Sequence, residues 1–403
     1  MNSKPPAAAS GWLIFTLLLP FQFMFGLIYA WGSIAPVIHA QSGWMTAVLD
    51  LAFSITPLVL FPSVLLGGYL AGRYEPKNVL ACALACFVVG SASGLLTTSS
   101  ALFIIGYGCI ALGLGAGLST PACIALIARM MPESRGKWSG AMLAIYGASA
   151  VVSAPLFHWL SGRMDWQFAL GMVCGIYAVL GVIALGKIPV IAKPQHETAA
   201  ASSGKMSMWS WQNARPILLN ALLLMAAVPL GSMVFGAMGR LALAAGFSAS
   251  VSVTAVTLMA FANGAGRFAG GWLSDATSAP TARTIMLACA AAGYGVLLAS
   301  EHWRSAASLF WALPLLMGFA FGGLAGKLPA LAAYTNMSRA TEVFSIYFGV
   351  FALSSFGGPF LSATLGFPAA VTLCGGLTAA GFVVSALLHR FDPVSRSGED
   401  AKG

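Results

Sequence analysis

Twelve apolar runs, each long enough to cross a lipid bilayer, partition this chain. Charged and turn-forming residues separate them. They lie near 11–38, 45–71, 78–98, 101–128, 138–160, 167–188, 216–240, 250–274, 283–300, 306–335, 341–361 and 366–389. A hydrocarbon core of about 30 Å takes about 20 helical residues at roughly 1.5 Å each. The runs are continuous and not alternating, which argues against a closed β-barrel. The first run is too long for a signal peptide and has no small-x-small cleavage site before a polar mature domain, so it is expected to be a retained span. The expectation is an all-α membrane protein with twelve transmembrane helices in two six-helix bundles.

Composition agrees. Charged residues are 8% of the chain and hydrophobic residues 59%, against about 25% charged in an ordinary globular protein. A soluble fold of 403 residues needs far more charge to cover its surface. The formal charge of +9 comes from basic residues at the ends of apolar runs, not from one patch, so nucleic acid is not an expected partner. Glycine, at 46 residues, is enriched as expected where helices approach closely in lipid.

Lys and Arg also set the topology. With the N-terminus inside, 15 of the 20 fall in inner segments, 3 in outer loops (Arg163, Arg240, Arg304) and 2 inside spans (Arg267, Lys327). The protein is therefore expected in a bacterial-type inner membrane with both termini cytoplasmic. The long hydrophilic stretch 189–214 reads as a cytoplasmic linker between an N-terminal bundle, 11–188, and a C-terminal bundle, 215–390, with a tail at 391–403. Gly67-Gly68-Tyr69-Leu70 and Gly270-Gly271-Trp272-Leu273 end corresponding spans 203 residues apart, a trace of duplication. Parallel repeats with a midplane site between them are a known carrier layout.

All seven cysteines fall within spans. Neither they nor the five histidines form a metal cluster, so no metal and no cofactor is expected. His158 is weighed as a proton relay against an ordinary polar residue of span 5, and the second reading is preferred. No P-loop signature is present, and no nucleophile or metal cluster marks the chain as an enzyme.

Arg267 and Lys327 are what a membrane should not tolerate. Arg267 lies 8 residues before Asp275 and Lys327 lies 12 before Arg339, about 12 Å and 18 Å into the bilayer. Such residues usually face a cavity and mark a substrate path. All eleven acids lie at span ends, in loops or in tails, so a counter-charge is expected from a bound anion. Asn263, four residues before Arg267, shares its helix face and either adds a hydrogen bond to that anion or orients the guanidinium. Tyr29 and Trp31 are candidate pocket walls, since aromatic rings with polar handles suit a small-anion site. Tyr146 and Tyr347 are weaker candidates of the same kind. Tyr29 and Trp31 are two apart and do not share a face, so one is expected to line the cavity while the other packs or faces lipid.

Three stretches carry a family resemblance. They are Gly26-x-x-Tyr29-x-Trp31 with Pro36-Val37; Met131-Pro132-Glu133-Ser134-Arg135-Gly136-x-x-Ser139-Gly140 with Tyr146-Gly147; and Asn263-x-x-x-Arg267 with Gly271-x-x-Ser274-Asp275. With the twelve spans and the central linker, the chain resembles the major facilitator superfamily, and within it the oxalate/formate antiporter family and its monocarboxylate-transporter relatives. The resemblance implies that Arg267 binds a substrate carboxylate. It also implies a gate in which Asp275 pairs with Arg135 or Lys137 near the start of span 5. The lysine that oxalate carriers place in span 11 falls at Val350 here, counting back from Phe356-Gly357-Gly358, and Lys327 stands in for its charge from span 10. Gly72 occupies the place of the superfamily's usual Asp in the 2–3 loop.

The function expected is secondary transport of small mono- or dicarboxylates by alternating access, with anion exchange as the mechanism, from a monomer whose other partner is the bilayer. The alternatives are proton-coupled monocarboxylate symport and a non-transporting sensor of the same fold.

Overall fold

A bilayer core offers the backbone no hydrogen bonds, so every peptide group that crosses it must be paired within the chain. The computed structural model describes residues 9–131, 135–189, 211–300, 307–336 and 339–390, and every regular element among them is a helix. Span 1 comprises Ala9–Phe25, a tighter 3-10 stretch Gly26–Ala30 and Trp31–Ser42. Span 2 is Thr46–Arg73, span 3 Pro76–Leu95, span 5 Arg135–Ser161 and span 6 Trp166–Lys187. Span 4 runs through Ser100–Phe103, a widened π stretch Ile104–Leu114 and Gly115–Met130. In the second half, span 7 is Trp211–Ala244, span 8 Ala249–Ala276, span 9 Ala279–Leu298, span 11 Ala340–Leu365 and span 12 Phe367–Arg390. Span 10 is broken into Ala307–Gly326 and Leu328–Thr335.

Eleven of these are long and apolar enough to cross a membrane. The twelfth, span 8, has 28 residues, about 42 Å, and carries Arg267. The expected linker lies mostly, and the expected tail wholly, outside the described residues. Below, the face carrying residues 74–75 and 277–278 is called the linker face.

Two charged residues expected in connecting segments are instead within helices. Span 7 continues to Ala244, which takes Arg240 into it. Span 9 begins at Ala279 because Ser278 caps it, its hydroxyl accepting from the Thr281 N–H at 3.2 Å, with Pro280 in the first turn. Arg283 is thereby carried inside the C-terminal bundle and is 6% exposed.

Large apolar side chains such as Val89, Phe168, Val179 and Leu222 are exposed on the outside of the helices, where the solvent is lipid. Inside, helices meet through small residues. A Cβ on Gly322 would lie 2.0 Å from the Asn263 carbonyl oxygen, and one on Gly326 1.9 Å from that of Arg267. Spans 8 and 10 therefore touch backbone to backbone, and this contact fixes the stretch of span 8 that bears the deep arginine.

The two bundles meet along two seams, span 5 against span 8 and span 2 against span 11. Both are shut toward the linker face. A Cβ on Gly140 would lie 3.0 Å from the Arg267 carbonyl oxygen, and one on Gly68 2.0 Å from Ser345 Oγ. Toward the opposite face the bundles part around a cavity of about 440 Å³. A larger hollow, about 620 Å³, lies between spans 3 and 6 and is lined by residues such as Val88, Leu95, Phe168 and Met172. Its apolar wall faces lipid, far from the deep charges.

Candidate substrate-binding site

Arg267 is fully buried, at 0% exposure, at the seam between the bundles. Its Nε donates to Asn263 Oδ1 at 3.2 Å. This is the i−4 pairing on one helix face, and Asn263 thus orients the guanidinium. Nη1 reaches the Leu143 carbonyl on span 5 at 3.5 Å, a long contact, and Nη2 donates to the Tyr29 hydroxyl on span 1. The guanidinium also lies over two rings, 5.2 Å from the Tyr29 centroid and 5.5 Å from that of Tyr146, in cation–π geometry. The rings meet edge to face at 5.6 Å. A Cβ at Gly147 would come within 2.9 Å of Arg267 Nε, so glycine there makes room for a side chain crossing from span 8 to span 5.

Every partner of Arg267 among the described residues is neutral. No carboxylate pairs with it. Asn263 Nδ2 is buried and makes no hydrogen bond. A charged donor and an amide donor thus sit side by side, the first held by a phenol and the second by nothing, which is a favourable setting for an incoming carboxylate.

Tyr29 is the link to the cavity. It lines the cavity with Ile28 and Trp31 of span 1 and Phe235 of span 7. Its ring therefore separates Arg267 from the open space. Of the two span 1 aromatics, Tyr29 reaches the arginine. Trp31 touches the cavity edge but stacks on Phe103 and Tyr107, at 6.1 Å and 6.4 Å, and its Nε1 is unpaired.

Lys327 is not brought to this cavity. It is 1% exposed, directly follows the Gly326 that packs on span 8, and feels the charge of Arg283 on span 9. Tyr347 is buried with its hydroxyl 3.0 Å from Thr335 Oγ1. His158 is exposed at the end of span 5 and lines no part of the cavity. Two residues that sequence reasoning passed over do line it. Arg240 and His39 are exposed where the cavity reaches the opposite face. A basic residue just inside the expected end of span 7 was the available signal.

At the linker face, Asp275 Oδ2 accepts from the Lys137 backbone N–H at 2.5 Å. Lys137 is the third residue of its helix, so a carboxylate from one bundle caps and neutralises the positive helix end of the other. The Lys137 side chain is exposed and lies 5.7 Å from the Trp138 ring. The Arg135 side chain lies outside the described residues. Asp275→Asn keeps an acceptor but removes the charge, a loss of about 0.3–1 kcal/mol. The expected outcome is more cysteine labelling from the linker face in that variant, and unchanged labelling would contradict a latch.

All seven cysteines are free, and the described residues contain no group of side chains suited to a metal ion.

The similarity to known proteins is superfamily-wide. The family model described as Major Facilitator Superfamily matches residues 11–359. The chain is 26% identical to Monocarboxylate transporter 13 of Bos taurus over 80% of its length and 75% of the relative's. It is also 26% identical to a Bacillus subtilis (strain 168) protein that carries the designation niacin/nicotinamide transporter NiaP, over 55% of this chain; the match spans 56% of that relative, about half its length. Among solved structures, the transporter FucP in its outward conformation superposes with a TM-score of 0.68 at 15% identity, covering 93% of this chain and 98% of FucP. The proton:xylose symporter XylE gives 0.69 at 13% identity, covering 93% and 95%. With twelve helical spans among the described residues, a cavity between the two bundles and a family match running from span 1 into span 11, the chain belongs to the major facilitator superfamily of membrane transporters.

Proposed function

We propose that this transporter carries small organic anions, mono- or dicarboxylates, by alternating access, and that it exchanges one anion for another. The observation that carries the reading is Arg267. It is a wholly buried cation with neutral partners, beside an orphaned Asn263 amide and one phenol ring from a cavity. Leaving a charge in that setting is costly unless a counter-charge visits. A carboxylate entering the cavity would displace the Tyr29 hydroxyl, take the guanidinium in a two-pronged hydrogen bond and accept from Asn263 Nδ2, with Tyr146 beneath. Arg240 at the mouth favours anions over cations on the way in. The family resemblance of the Asn263–Asp275 stretch and the carboxylate named for the bovine relative support the same class.

The linker face is read as cytoplasmic from the Lys and Arg bias, which places both termini inside a bacterial-type inner membrane. The cavity then faces outward, and the Asp275 cap holds the inner gate. The protein is read as a monomer, since each chain holds both halves of its site.

Paired ligands test the class. Thermal unfolding of the purified protein should shift upward with nicotinate, benzoate or malonate and stay put with nicotinamide or benzamide, which keep size and lose charge. A ligand present at 100 times its Kd stabilises by about 2.7 kcal/mol, a readily seen shift. Equal shifts with acids and amides would contradict an anion site.

A further inference from the structure

The cavity between the bundles carries charge at its mouth and rings below. Arg240 and His39 stand where it reaches the opposite face. Below them the side chains that line it are apolar apart from the Tyr29 hydroxyl. Phe235 and Val256 stand on the C-terminal side, Leu49, Phe53 and Trp31 on the N-terminal side. Trp31 offers only its ring, because its Nε1 is buried. The Tyr29 hydroxyl is engaged by Arg267. Tyr29 and Phe235, one from each bundle, meet edge to face with their centroids 6.1 Å apart, a favourable aromatic geometry.

Space lies directly beside these rings. Gly236, next to Phe235 on span 7, also lines the cavity, and a Cβ there would meet nothing within 4 Å. The wall at this point is bare backbone, which leaves room for a flat group against the Phe235 ring. Arg240 lies five residues beyond Phe235, about 7.5 Å along the helix, so the mouth charge stands clear of this space. At about 440 Å³ the cavity is in the range of pockets that take ligands the size of a drug molecule. A short-chain acid held by Arg267 would leave most of the apolar wall facing water. The second carboxylate of a short dicarboxylate would have to shed water beside that wall. A ring covers the wall and removes both costs.

The rings continue below the cavity. Phe235 lies 6.1 Å from Phe321 of span 10, and Phe321 lies 5.0 Å from Phe351 of span 11. Phe348 follows at 6.1 Å and Phe344 at 5.5 Å, close to the linker-face start of span 11. These four are buried in the apolar cluster that runs through both bundles. When the bundles part toward the linker face, an apolar body leaving Phe235 would meet ring after ring along that side.

We propose that the transported anion is a monocarboxylate with an aromatic or similarly ring-sized apolar body, and that Phe235, with Tyr29 opposite, is the residue that selects this body. Arg267 holds the carboxylate and the ring lies in the space beside Gly236. The proposal rests on the carboxylate-carrier reading, and the experiment separates the failure of one from the failure of the other.

The test is thermal stabilisation of the full chain, purified in detergent, by benzoate, acetate and malonate titrated against chloride at constant ionic strength. Benzamide is the uncharged control. The series is run in wild type, Arg267→Lys, Phe235→Ala and Gly236→Leu. Wild type should bind benzoate about tenfold or more tighter than acetate or malonate, from the buried ring area. Phe235→Ala should cut the preference for benzoate over acetate about tenfold, through the lost ring contact. Gly236→Leu keeps the Phe235 ring, fills the open space and should cut the same preference. A ratio of two ligands on one protein is insensitive to a general loss of stability. If acetate or malonate binds wild type as tightly as benzoate and Arg267→Lys abolishes the response, the ring proposal is overturned and the carrier reading stands. Benzoate preference unchanged in both span 7 variants, with Arg267→Lys still abolishing the response, has the same meaning. If benzamide matches benzoate, or no carboxylate stabilises wild type, the carrier reading falls and takes the ring proposal with it.

Discussion

Arg267→Lys is expected to reduce carboxylate uptake into proteoliposomes about a hundredfold or more, with normal expression and a monodisperse gel-filtration peak. Lysine keeps the positive charge but loses the planar fork that meets a carboxylate with two parallel hydrogen bonds. Each charged hydrogen bond contributes about 1.5–3 kcal/mol, so losing the two-pronged geometry reaches that scale. Lysine also loses the Nε–Asn263 contact of 3.2 Å, which leaves the amide free to turn. Folding should survive because spans 8 and 10 meet through Gly322 and Gly326, not through the guanidinium. Near-normal uptake by this variant would contradict the binding role.

The second large effect separates exchange from net uptake. Tyr29 belongs to the N-terminal bundle and Arg267 to the C-terminal one, so their hydrogen bond joins the two bodies that must rock. The contact from Arg267 to the Leu143 carbonyl does the same more weakly. An empty carrier has to part these bonds and leave a charged group short of acceptors inside the membrane, at a cost of about 1.5–3 kcal/mol. A bound carboxylate supplies the acceptors and neutralises the charge in both orientations. Reorientation should therefore be about 10- to 100-fold faster when loaded. Labelled substrate is expected to enter proteoliposomes quickly when unlabelled anion is inside and slowly when they are empty. Equal uptake into empty and preloaded vesicles, driven by an inward proton gradient, would point to symport. Tyr29→Phe should narrow the gap, because the empty carrier then has one bond fewer to break.

The spans were legible because hydrocarbon imposes its thickness on the sequence. An apolar run has to be about twenty residues long whatever it packs against. The depth of Arg267 followed by counting from Asp275, and its pairing with Asn263 followed from helical spacing. Rotation about a helix axis is harder to read. Tyr29 and Trp31 are equivalent on paper, and it is the tightened Gly26–Ala30 turn that aims the first at Arg267 while the second stacks on Phe103. Lys327 is buried at the break in span 10, yet it is Gly326, one residue earlier, that packs on the Arg267 backbone, and Lys327 lines no part of the cavity. The burial of Arg283 depends on partners 63 and 102 residues away, so a charge near a helix start was read as part of a connecting segment. Asp275 also meets the backbone N–H of Lys137, a partner that every residue offers and no residue type reveals.

The central claim, that Arg267 holds the carboxylate of the transported anion, is tested most directly by a structure of the protein with the acid that stabilises it best. The account predicts both carboxylate oxygens within about 2.7–3.2 Å of the Arg267 guanidinium, one of them also accepting from Asn263 Nδ2, and the Tyr29 hydroxyl displaced. An anion bound elsewhere, with the Arg267–Tyr29 hydrogen bond intact, would contradict it.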